Sequence, residues 1–200
     1  MQEVDIEIEG TKPFVFHKFS IEAIQSLTKK KTGSAGNDPE EWKRSFFHQG
    51  SQLCVPDSYI LAVLRHASVH TKAGRGSIQK TWMSAVSIID EKIMMNRHIF
   101  DNWEDISAES IKDYTDSSKP VYIDVRMVSN PNTKGKNVRY RVCCSPGWTM
   151  KFSILVNDDL VSISQTKKVV EDAGLLIGIA DARTLGYGRF RLTSFASRKV

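Results

Sequence analysis

Apolar and polar residues alternate from the first strand-length window of this chain. Val4, Ile6 and Ile8 are interleaved with Glu3, Asp5, Glu7 and Glu9, a period of two that predicts a half-buried strand over 3–9. Phe14 to Phe16 reads as a second strand segment. Ala23, Ile24 and Leu27 line one face of an expected helix, Ile21 to Lys30, with Ser20 as its cap. A Gly- and Ser-containing loop follows the three lysines 29–31, then a short helix over Glu40 to Phe46 and a strand over Ser51 to Val55. Pro56-Asp57-Ser58 opens the clearest helix, Asp57 to His70, with Ile60, Leu61, Val63 and Leu64 on its apolar face. Residues 81–119 have no clear period and read as an insertion with little regular strand. Alternation returns at Val121 to Val128, Val138 to Cys144 and Trp148 to Val156, with a hairpin-like turn at 130–137. A helix over Ser164 to Ala173, a glycine-rich loop and a strand over Arg189 to Phe195 complete the chain.

With Asp57–His70 as the first crossover and Val121–Val128 as the next core strand, the order matches β-α-β-β-α-β. The expected class is α+β, a ferredoxin-like antiparallel sheet with helices on one face. The expected organisation is one domain over 1–200, carrying an insertion at about 71–120.

Composition changes this picture little. At 200 residues with 40% hydrophobic and 26% charged positions, a sizeable core needs no disulfide or metal staple. Cys54, Cys143 and Cys144 are an odd number with no CxxC spacing, which points to a reducing, cytosolic setting. No signal peptide or membrane span is expected. The net charge of +5 favours a polyanionic partner.

The candidate chemistry lies in three Gly-plus-basic regions. Gly178-Ile-Ala-Asp-Ala-Arg-Thr-Leu-Gly186-Tyr-Gly188-Arg-Phe190 is the densest. Glycines there let backbone N–H groups approach an anion, or merely allow a tight turn with φ > 0. Arg183, Arg189 and Arg191 lie in or after this loop. Lys134, Lys136, Arg139 and Arg141 surround the 130–137 turn, and Lys72, Arg75 and Lys80 flank Gly74 and Gly76. Convergence of the three would let a surface track a phosphate backbone, with Tyr140, Trp148 or Tyr187 stacking on bases. The alternatives are solvated charges and a core tryptophan.

Two segments carry a family resemblance. Leu53-Cys-Val-Pro-Asp-Ser-Tyr-Ile-Leu-Ala-Val-Leu-Arg65 resembles the pattern of the RAMP superfamily, the ferredoxin-like proteins of CRISPR effector complexes. In that pattern an apolar residue and a proline precede a helix ending Leu-Arg. The loop 178–190 resembles the same family's Gly-rich loop before its last strand. Asp57 stands where the pattern has Gly, and Ala180 where the loop often has Gly. The chain also resembles uncharacterised bacteriophage proteins of similar length. The resemblance implies non-catalytic binding of single-stranded nucleic acid, RNA before DNA, by a homo-oligomer or a subunit of a larger ribonucleoprotein. A bacterial or phage-infected host cytoplasm is the implied setting.

Three other roles stay open. Guide-processing relatives often cleave RNA with a histidine, and His17 is the candidate, with Lys18 or Tyr187 assisting. No partner for His17 is evident in the sequence, so no catalytic residue is assigned. A viral mimic that occupies a CRISPR complex and a phage single-stranded-DNA-binding factor are the others. His66 and His70 have i, i+4 spacing but no third ligand, and Asp90, Asp101, Glu104 and Asp105 lack diagnostic spacing. No metal or cofactor is expected. Trp82, Met83, Met94, Met95, Phe100 and Trp103, aperiodic and apolar, suggest an interface with other subunits.

Overall fold

The computed structural model describes residues 1–19, 38–129 and 135–200. The expected helix Ile21–Lys30, its cap Ser20 and the turn positions 130–134 lie outside the described residues. In chain order, β1 (Gln2–Gly10) and β2 (Phe14–Val15) lead to β3 (Phe47–Gln49), β4 (Gln52–Pro56) and α1 (Asp57–Ala67). A small hairpin follows, β5 (Lys72–Ala73) and β6 (Gly76–Ser77), then α2 (Gln79–Ala85), β7 (Val86–Ile88) and β8 (Lys92–His98). The rest comprises β9 (Val121–Ser129), β10 (Lys136–Cys144), β11 (Thr149–Val156), α3 (Ile163–Asp172) and β12 (Phe190–Lys199).

The fold is α+β and ferredoxin-like. Its main antiparallel sheet runs β12-β1-β11-β8-β4-β3, with β7 also paired to β11. The core repeat is therefore β1-α1-β8-β11-α3-β12, in the spatial order fourth, first, third, second. Val4, Ile6 and Ile8 stand opposite Ile154, Phe152 and Met150 across β1 and β11, and all six are buried. The helices cover that face. α1 buries Ile60, Val63, Leu64 and Ala67, one stripe at helical spacing. Pro56, extended, precedes its first residue, and the acidic Asp57 suits the positive end of the helix. α3 begins with a Ser162–Gln165 capping box and runs into a π-turn, Ala173–Ile177.

Three expectations need correction. First, the second core strand is β8, inside the segment read as irregular, and not the strand at Val121. Only Ile93 and Met95 point inward from β8, too few for a period of two to stand out. Second, β9 and β10 join β2 in a separate three-stranded sheet. The alternation expected along β9 is not followed. Val121, Tyr122, Ile123 and Asp124 are all buried, whereas Val125, Met127 and Val128 are exposed. The first half of β9 is covered on both faces and the second half leaves the body of the protein. Third, most of the apolar residues expected at an interface fill this chain's own core. Trp82 and Met95 are fully buried, and Phe100 and Trp103 pack on it, with Trp42 edge-on to both. Met94 is half-buried and Met83 exposed. α1 also ends at Ala67, short of His70, with Ser68 closing it on the Leu64 carbonyl.

Candidate functional site

After the π-turn the chain reverses through the glycine-rich loop with five left-handed residues: Gly178, Ala180, Ala182, Gly186 and Gly188. Two of the glycines are sterically required. A Cβ on Gly188 would lie 1.9 Å from the Ile179 carbonyl oxygen, and one on Gly178 would lie 2.5 Å from that of Tyr187. Ala180 and Ala182 hold the same backbone region at a cost of roughly 1 kcal/mol each. Ala180 holds a left-handed φ of 68°, a conformation that glycine adopts without steric cost.

The amides of the three expected glycines are not free for an anion. Gly178 donates to Ala173, Gly186 to Arg183 and Gly188 to Pro13. Their role is to fold the loop against β2, which Asp181 also joins by donating its N–H to the Val15 carbonyl at 3.2 Å. That bond carries the Asp181 carboxylate to the end of the small sheet.

A continuous polar chain starts there. Asp181 Oδ2 lies 3.3 Å from His17 Nδ1 and accepts from Arg141. Arg141 also lies 3.8 Å from Asp124, which accepts from Arg126 at 2.9 Å. Arg126 donates to the Tyr187 hydroxyl at 2.5 Å, with its guanidinium 4.9 Å from the ring centre. The side chains of Arg141 and Asp124 are only 7% and 10% exposed. The hydrogen bond from His17, helped by the Ala182 amide and Arg141, holds the Asp181 carboxyl well below the usual carboxylate range despite partial burial. Burial pushes the Tyr122 hydroxyl well up and the neighbouring Cys143 thiol to about 12. Both are therefore neutral and unreactive near neutrality.

Above this chain lies a cleft of about 340 Å³ between α1 and the loop. His17, Tyr59, Asp181 and Arg183 give it polar walls, and Ala62, Val63 and Ala180 give it apolar ones. Tyr59 donates its hydroxyl to the His17 carbonyl at 2.9 Å, fixing the backbone that presents the imidazole. Asp181 is placed to accept a hydrogen bond from His17 Nδ1, a contact that orients the imidazole. His17 thus has the partner that the sequence did not reveal.

The other expected site residues are dispersed. Lys72 and Arg75 lie on the exposed β5–β6 hairpin, and Lys80 is exposed in the first turn of α2. Lys136 is exposed at the start of β10, and Lys134 lies outside the described residues. Arg139 is held by Glu41, which also accepts from the Tyr140 amide, and Arg141 is buried in the polar chain. Arg183 approaches His66 Nδ1 at 3.4 Å. Arg189 donates to the Leu175 carbonyl at 2.7 Å, and Arg191 pairs with Glu9 at 2.7 Å. Trp148 is core: its indole N–H donates to Lys12 and its ring is edge-on to Phe14. Tyr140 and Tyr187 are half-buried rather than open stacking platforms. Lys18 sits over the Phe47 ring. Among the described residues no three His, Cys, Asp or Glu side chains gather as a metal site, and no helix is long and apolar enough to cross a membrane.

Asp181, Asp124, Arg126 and Tyr59 were not singled out from the sequence. Asp181 is the one acid inside the 178–190 loop, and that was the available signal.

No protein-family model matches the sequence, and no curated protein matches it. Among solved structures, the chain is similar to one in the cryo-EM structure of the Type III-B Cmr-beta bound to cognate target RNA. The TM-score is 0.50 at 15% sequence identity, with 99% of this chain and 61% of that one covered. The chain therefore spans about three-fifths of that neighbour's length. At this identity the likeness concerns the fold.

Proposed function

We propose that this chain, as one RAMP-like domain, binds single-stranded nucleic acid, RNA in preference to DNA, without cutting it. The observation that carries the reading is the cleft at the α1–loop junction, lined by both Arg183 and His17. Support comes from the fold neighbour, whose assembly holds a target RNA. Arg183 touches α1 at His66, and α1 leads directly into the hairpin with Lys72 and Arg75. Lys80 lies just beyond in α2, and among the described residues Arg183, Lys72, Arg75 and Lys80 have no carboxylate partner. Arg139, Arg141 and Arg191 are assigned to structure, because each is already neutralised by an acid.

Fluorescence titration of a labelled oligoribonucleotide tests this. Affinity should fall steeply with salt, and Arg183→Ala should flatten the log–log slope by about 0.7, the increment for one phosphate on a single strand. Lack of binding to RNA and DNA at low salt would overturn the proposal.

A second reading, an endoribonuclease, is favoured by one observation, the His17–Asp181 pair. As a base, His17 would take the proton of a 2′-hydroxyl at Nε2 while the 2′-oxygen forms its bond to phosphorus and the 5′-oxygen leaves with a proton from water, with Arg183 beside the phosphate. Cleavage of labelled RNA that is lost in His17→Ala and in a 2′-deoxy substrate would select this reading.

A further inference from the structure

We infer that the outer edge of β12 is a self-complementary pairing surface, and that two copies of this chain join through it as a continuous antiparallel sheet. β12 is ten residues long and ends the main sheet. Among the described residues nothing pairs with its outer side. A long free edge is a template for another strand, and proteins usually blunt it with proline, charge or a bulge. Here one bulge lies at Thr193, where the register with β1 shifts between Glu7 and Ile8. Beyond it Ser194 to Lys199 pair in unbroken register with β1, and Ser194-Phe-Ala-Ser197 carries neither charge nor proline.

The occupant follows from the faces and charges of this strand. Ser194, Ala196 and Arg198 stand opposite Glu7, Asp5 and Glu3 on the open face of the sheet. An antiparallel continuation of the sheet must keep open-face residues opposite open-face residues. Centring the two-fold on Ala196 does this. It sets Ala196 against its own copy, Ser194 against the partner's Arg198, and Phe195 against the partner's Ser197. No like charges then stand directly opposite. Centring on Phe195 would oppose Arg191 to the partner's Lys199. Arg198 is already held back by Glu3 and Asp5. The other end of the sheet, β3, is three residues long and offers no match for this edge. The isologous pairing closes as a dimer and leaves no long edge of this sheet open.

Sedimentation velocity on the nuclease-treated full chain tests this without any nucleic acid. The expected species is twice 22.6 kDa and persists in high salt, because no pair of opposite charges joins the two strands. Ala196→Lys, which opposes two ammonium groups at the axis, should give a monomer with an unchanged circular-dichroism spectrum. Ala196→Cys should cross-link to a dimer on mild oxidation, since opposed strand positions fall within disulfide reach. The three native cysteines are buried and do not compete. A monomer at all concentrations, or a dimer that withstands Ala196→Lys and resists the cross-link, would overturn the inference. Either result leaves the nucleic-acid titration unaffected.

Discussion

Two rows of alternating charge in this protein use the same residue types to different ends. On the open face of the sheet, Glu3 and Asp5 meet Arg198, Glu7 meets Lys151 and Glu9 meets Arg191. Beside the cleft, His17, Asp181, Arg141, Asp124, Arg126 and Tyr187 form a single file. The first row is made of cross-strand neighbours with one or both partners well exposed. Such pairs are screened and contribute about 0–1 kcal/mol each. The second row joins β9, β10, the segment after β2 and the glycine-rich loop, and its middle is buried. There each charge is the condition for burying the next. Composition alone does not separate the two rows; desolvation does.

The sharpest way to break the contrast is Arg141→Ala. It strands Asp124 and Asp181 with reduced compensation and should lower stability by about 3–5 kcal/mol, measurable by urea unfolding. A loss below about 1 kcal/mol would place Arg141 with the surface pairs.

Asp181→Asn should cost less, about 1 kcal/mol at neutral pH once solvent screening is allowed for. The carboxyl's folded-state pKa is depressed, so its stabilisation is present above the usual carboxylate range, near pH 4. It is lost as pH falls through that range and below. The gap between wild type and variant should therefore close on acidification. A gap independent of pH would assign the effect to shape rather than charge.

Arg183→Ala probes the rim of the buried row. It should weaken RNA binding several-fold while leaving the melting temperature within about a degree, since its contact with His66 is exposed. A large stability loss with unchanged affinity would make Arg183 a structural clamp for the loop.

Arg198→Ala gives the smallest effect. Though it touches two carboxylates, it should change stability by no more than about 1 kcal/mol, and the change should vanish in high salt.

Much of the framework was legible because its causes are local. β1 shows its period in three acid–apolar repeats, and α1 announces itself by Pro56-Asp57. The glycine-rich loop was visible because Gly178 and Gly188 sit where a Cβ would collide with backbone. β8 was missed because neighbouring strands, rather than its own two inward residues, determine it. β9 was misread because alternation assumes one wet face, and its first half has none.

The candidate site was legible only in pieces. Arg183 and His17 were named separately, the glycine loop was left between an anion cradle and a tight turn, and the acid that pairs with His17 was not chosen. What the sequence determined by itself was the inventory: amphipathic periods, helix starts, the loop's left-handed positions and the excess of cations. Which cations are free was decided by tertiary structure, because a carboxylate 40 or 98 positions away can neutralise an arginine only once folding brings the two within hydrogen-bond reach. Electrostatic pairing acts through space and desolvation, and neither is written along the chain.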